Sequence, residues 1–234
     1  MATVTLTTPE ATAGDQRVVM RGVGWRGYLT LLRLRGERPR PRMVYLDGDV
    51  SLISPDFAHE SLKKRLGLLV MVVVEQLDIP CLASGSTTLR RKKKKGGAEA
   101  DESFYLTNLE PILAKKGKEN IHLRLDPPPD LVIEAVNTHE ADEAVEVWRR
   151  FGVPEVWVCV EDGLVILTLQ PNGRDAESPN SRAIPVLTAS EIFGWVTKET
   201  PGTDTDWIRE LRRWVAGPLA ERHRRAGEKS AEAP

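Results

Sequence analysis

The chain has 234 residues, 41% apolar and 29% charged, with 33 Lys and Arg against 34 Asp and Glu. That is apolar material for one core with extensions, or at most two small ones. A net charge of −1 excludes the chain-wide basic signature of a nucleic-acid binder and leaves only a local patch to supply one.

Taken in chain order, residues 1–20 read as a flexible lead-in; MATVTLTTPEATAGDQR lacks the basic cluster and apolar stretch of a secretory leader. A short helix from Trp25 carries Tyr28, Leu29, Leu31, Leu32 and Leu34 and stops at the prolines of ERPRPR. MVYLDGDVSLIS reads as a hairpin turning at Asp47-Gly48. A helix over 58–77 follows, with Leu62, Leu66, Leu69, Val70, Val73 and Leu77 at helical spacing. Its most apolar stretch, Leu66 to Val74, is too short to span a bilayer.

Strands are expected at 81–83 and 86–90, joined at Gly85, and through Phe104, Tyr105 and Leu106, with RRKKKKGG between them. Residues 107–129 form a polar excursion. Leu131 to Val136 is apolar on both faces, as in the middle of a sheet. A helix over 139–150 ends at Gly152, and strands 156–160 and 164–169 turn at Asp162-Gly163. PNGRDAESPNSR looks disordered; a short strand near 184–187, a helix over 190–195 and a final helix over 206–224 follow, then a frayed tail. This order gives an α/β domain with a mixed sheet over 21–198, flanked by the segment 1–20 and by a C-terminal helix and disordered tail over 199–234. Cys81 and Cys159 lie in separate apolar runs, which fits two buried thiols in a cytoplasmic protein and neither a disulfide framework nor a zinc site.

Three features carry chemistry. Glu134 interrupts an apolar strand, and a buried carboxylate needs a cation or a cleft. An ion pair with an arginine such as Arg149 is the structural alternative. Glu99-Ala100-Asp101-Glu102 opens another strand, and His59 and Glu60 start the long helix. Asp101 and Glu134 on neighbouring strands offer two rigid oxygen ligands to a hard cation such as Mg2+ or Mn2+, which polarises a phosphate and activates water.

From about Val44 to Val160 these stretches resemble the Uma-two family of restriction-endonuclease-like proteins, a branch of the PD-(D/E)XK nuclease superfamily. The resemblance rests on Leu46-Asp47-Gly48 with Ser54-Pro55 and His59, on Ser86 to Arg91, on Gly97 to Tyr105, on Pro129 to Glu134 and on Gly152 to Trp157. It implies a restriction-endonuclease-like core, a mixed β-sheet flanked by α-helices with N- and C-terminal helical extensions. It also implies hydrolysis of DNA phosphodiesters, with Asp101 and Glu134 as metal ligands and Glu60 as a third.

The chain departs from that pattern. Ala100 stands where relatives have proline. Val136 and Ala144 stand at the two places where the resemblance leads one to expect a lysine. Candidates for its work are His139 as a proton shuttle, Arg149 or Arg150, and Lys63 or Lys64; a catalytically inactive nucleic-acid-binding scaffold is the competing reading. Arg90, Arg91, Lys92, Lys93, Lys94 and Lys95 are either a phosphate-binding run or a solvated hairpin tip. The C-terminal helix, with Trp207 and Trp214, is either core or a surface for homodimer formation.

Overall fold

A computed structural model of the chain describes residues 15–136 and 141–231. The strands divide between two sheets. The first has five: β1 (Gln16–Met20), β2 (Arg42–Leu46), β3 (Asp49–Ser54), β5 (Thr88–Arg91) and β6 (Gly96–Glu99), in the order β1-β3-β2-β6-β5 and paired antiparallel throughout. The second has six: β4 (Leu82–Ala83), β7 (Glu102–Tyr105), β8 (Leu131–Ala135), β9 (Glu155–Val160), β10 (Gly163–Leu169) and β11 (Asp175–Ser178), in the order β11-β10-β9-β8-β7-β4. It is mixed, because β8 and β9 run parallel while their other neighbours run antiparallel.

The parallel pair needs a crossover, and α4 (Asp142–Phe151) lies in it, ended by Gly152 in the left-handed conformation. α1 (Gly24–Arg35) lies against the first sheet, where Tyr28 stacks on Tyr45. α2 (Phe57–Gln76), α5 (Ala189–Val196) and α6 (Asp204–Trp214) cover one face of the second sheet. A short α3 (Leu109–Leu113) sits in the 107–129 excursion, and α6 continues through a π-turn at Val215–Leu219 into α7 (Ala220–Ala231).

β8 is buried at every position, and its period of two sorts it between two cores. Leu131, Ile133 and Ala135 pack toward α2, α5 and α6. Val132 packs toward α4, with Val147 and Trp148, and Glu134 shares that face. Full burial of Leu66, Leu69, Val70 and Val73 on α2 contributes about 1.5–3 kcal/mol each.

Several expectations change. Residues 16–20 are a strand paired with β3, so the described part of the lead-in is structured. Gly-Gly-Ala-Glu forms β6, and β4 and β5 belong to different sheets and do not pair across Gly85. β11 lies inside the segment read as disordered, paired with β10. Residues 184–187 form a turn closed by Leu187 N–H to the Ile184 carbonyl, since the Glu155 carboxylate accepts from Ser181, Arg182 and Ala183 and pins this loop. The tail stays helical to Ala231. No described helix is long and apolar enough to cross a membrane.

Candidate functional site

The site forms where the chain passes from one sheet to the other. β6 ends at Glu99 in the first sheet and β7 begins at Glu102 in the second, so Ala100 and Asp101 are the crossing. Asp101 N–H donates to the Ile133 carbonyl at 3.1 Å, and its Oδ2 accepts from Ala135 N–H at 2.9 Å. These two bonds tie Asp101 to the edge of β8 and bring its carboxylate beside that of Glu134. Asp101 is 0% exposed and Glu134 1%.

Both acids meet on Arg42, the first residue of β2. Arg42 Nη1 donates to Asp101 Oδ1, and Nη2 lies 3.6 Å from Glu134 Oε2. Trp148 Nε1 of α4 donates to Glu134 Oε1 at 2.6 Å. His59 completes the cluster, its Nε2 lying 3.1 Å from Asp101 Oδ1 and its Nδ1 2.7 Å from Asp15 Oδ2. The imidazole is delivered by helix capping: Asp56, the N-cap of α2, accepts from His59 N–H and fixes the first turn.

The charges follow this geometry. Burial pushes the Glu134 carboxyl up to about 7, and the nearby Asp101 charge adds to this, while Arg42 pulls it down. Burial also opposes ionisation of Asp101, but Arg42, His59 and the Ala135 N–H outweigh it and hold this acid below its ordinary value. His59 is desolvated too, yet its bond to Asp101 and the charges of Asp101 and Asp15 raise it. Arg42 is raised despite burial, by Asp101, Glu134, Glu99 and Asp15.

A cleft of about 550 Å3 opens beside Arg42, with Arg35, Arg38, Arg40 and Lys63 in its wall. Arg35 is committed to Glu99 by two hydrogen bonds of 2.6 and 2.5 Å. Glu60 lines the same cleft but turns to Arg40 at 2.9 Å and Lys63 at 3.8 Å, and does not join Asp101 and Glu134. Among the described residues no three His, Cys, Asp or Glu side chains cluster as metal ligands.

The remaining candidates are dispersed. Arg149 pairs with Glu146 and Arg150 with Glu146 and Asp47, so neither is the partner of Glu134. Lys64 lies outside this cleft, Lys63 in its wall. Val136 and Ala144 are buried. His139 falls outside the described residues. The run from Arg90 to Lys95 is the end of β5 and the turn into β6. Cys81 and Cys159 are unpaired thiols, pushed by burial up to about 11 and about 12.

Sequence reasoning missed Arg42, which was read as part of a helix-breaking loop. The available signal was its place at the head of Met43-Val44-Tyr45, a strand buried along this length, where a cation must find an acid. Trp148 carried a signal as well, because a buried indole N–H needs an acceptor.

A family model described as "Uma2: Putative restriction endonuclease" matches residues 25–199. The chain belongs to the Uma2 family. This match extends the Uma-two resemblance beyond both ends of the stretch from Val44 to Val160. No curated protein matches the chain. Among solved structures, one titled a putative nuclease belonging to DUF820, from Anabaena variabilis ATCC 29413, is 15% identical. That similarity covers 70% of this chain and 96% of that one, with a TM-score of 0.49. As in the Uma2 description, the class of protein is a restriction-endonuclease-like nuclease, here on a mixed α/β fold.

Proposed function

We propose that this Uma2 protein hydrolyses DNA phosphodiester bonds, with Mg2+ or Mn2+ held by Asp101 and Glu134. The observation that carries this reading is the convergence of two buried carboxylates, from the sheet crossing and from β8, on a single positive centre beside a cation-lined cleft. The donor set fits a hard divalent ion: magnesium takes one or two carboxylates and completes its shell with water and phosphate oxygens. Arg42 holds that position here, and its looser contact, at 3.6 Å to Glu134, is the one to yield.

A divalent ion bound there supplies Lewis-acid polarisation of a phosphoryl oxygen and lowers the pKa of an attacking water. The protein's own groups set the geometry. His59 and the Ala135 N–H fix Asp101, and Trp148 fixes Glu134, so the acids are oriented before anything binds. Arg42, released from Glu134, places a permanent charge beside the reacting phosphoryl group. Arg38 and Lys63 attract the phosphodiester into the cleft.

Plasmid DNA and circular single-stranded DNA, each incubated with the protein and Mg2+ or Mn2+, test this reading. Nicking or linearisation is expected from the wild type and a loss of at least about 100-fold from Glu134→Gln and from Asp101→Asn. Equal cleavage by all three, or none by the wild type with either metal, contradicts it. A second reading, a scaffold that binds nucleic acid without cleaving it, is favoured by the apolar Val136 and Ala144 and by the contact of Arg42 with both acids. It predicts affinity without cleavage in the same samples.

A further inference from the structure

Many of the chain's cations are held in ion pairs. Arg149 and Arg150 share Glu146, Arg209 faces Asp206, Arg222 faces Glu191, and Arg225 faces Glu221. One groove brings together several that are not. A groove of about 510 Å3 runs between the β5–β6 hairpin and the 122–125 segment, with Arg90, Arg91, Lys92 and Lys93 on one wall and Arg124 on the other. Among the described residues none of these five has an acid within salt-bridge distance, and the groove wall itself holds no carboxylate. Arg91 Nε is buried without a hydrogen-bond acceptor. In a chain of net charge −1, five unmatched cations share this one groove.

The floor differs from the rim. Leu123 is buried there and Leu125 is 76% exposed between the cations. Arg90 and His122 belong also to the adjoining groove, where Trp25, Ile121, Asn120 and Thr87 add apolar and hydrogen-bonding surface. That second groove shares Arg35, Gly36 and Thr88 with the cleft at Arg42. A continuous depression therefore leads from the hairpin tip to the cleft at Arg42.

We propose that this depression binds an unpaired nucleic-acid strand, with phosphates against Arg90, Arg91 and Arg124 and bases against Leu125, Ile121 and Trp25, and guides it to Arg42. Charges on the rim and apolar surface on the floor match a single strand, whose bases are free to lie on protein. A duplex keeps its base faces stacked inside, and would leave Leu125 and Ile121 without a base face to meet. The idea deepens the hydrolase reading by naming the form of the substrate, and it rests on that reading for the strand's destination. Binding itself needs no turnover.

Fluorescence anisotropy in EDTA, which separates binding from cleavage, decides it. Labelled single-stranded and duplex oligonucleotides of equal length are titrated at several salt concentrations. The single strand should bind at least about tenfold more tightly, with an affinity that falls as salt rises. Arg90→Ala combined with Arg124→Ala should weaken it about tenfold and reduce the salt slope by about 1.4, the value for two lost phosphate contacts on a single strand. Leu125→Asp should weaken it further, whereas Arg212→Ala combined with Arg213→Ala on α6 should change nothing.

Duplex bound as tightly as single strand, poly-L-glutamate competing as well as the oligonucleotide, or groove variants losing no more than the α6 variant would each overturn the proposal. Metal-dependent cleavage by Asp101→Asn and Glu134→Gln, whose groove is intact, reports on the acid pair separately. A failed groove and a failed active site are thus distinguishable.

Discussion

Glu134 and His59 both hold protons more tightly in the folded chain than outside it. Glu134 rises from 4.5 to about 7, mainly through burial, and His59 rises above 6.5 through Asp101 and Asp15 in spite of burial. Between the unfolded and folded values the native state keeps protons that the unfolded chain has released, so the stability due to these groups falls as pH rises. For Glu134 the window runs from about pH 4.5 to about 7, and for His59 it begins near 6.5. Asp101 behaves oppositely: its folded value is depressed, so its contribution is present above the ordinary carboxylate range and lost on acidification. Thermal melts in EDTA are expected to show stability declining from pH 5 to pH 8. Glu134→Gln, which cannot ionise, should flatten the lower part of that decline, by about 1.4 kcal/mol for each unit of pKa shift removed. An unchanged slope in this variant would show that Glu134 is not the buried proton-holder described above.

At the scale of elements, legibility followed local chemistry. Asp47-Gly48 and Asp162-Gly163 announced their hairpins, and the helical spacing of Leu66, Leu69, Val70 and Val73 announced α2. β6 announced nothing, because Gly96-Gly97-Ala98-Glu99 has little strand propensity and becomes a strand only by pairing with β2 and β5. Its glycines are there for room. A Cβ at Gly97 would come within 2.5 Å of the Tyr28 hydroxyl oxygen, so α1 sits against the first sheet only while this side chain is absent. Gly97→Ala is expected to destabilise the fold by about 1–3 kcal/mol through overpacking. Gly163→Ala, with no atom within 4 Å of the new Cβ, serves as the neutral comparison. Urea midpoints measure both, and equal midpoints would refute the packing argument.

For the whole molecule, the acids of the site were legible and the cation was not. An acid in the apolar run Leu131-Val132-Ile133 demands a partner from any reader of the sequence. The partner comes from Arg42, 59 residues before Asp101, and only the meeting of two sheets brings them together. Glu60 failed as a ligand because Arg40 and Lys63 hold it at the cleft wall. The groove was half visible: Arg90 to Lys93 could be read as a basic run, but Arg124 and His122 come from a segment with no such pattern. The central claim is that Asp101 and Glu134 form a cation site shared between Arg42 and a divalent ion. Calorimetric titration of Mn2+ into the wild type and into Glu134→Gln, which keeps the Asp101–Arg42 pair neutral, tests it most directly. One Mn2+ per chain in the wild type and loss of that binding in the variant is the predicted result; equal Mn2+ binding by both proteins, or none by the wild type, would contradict the account.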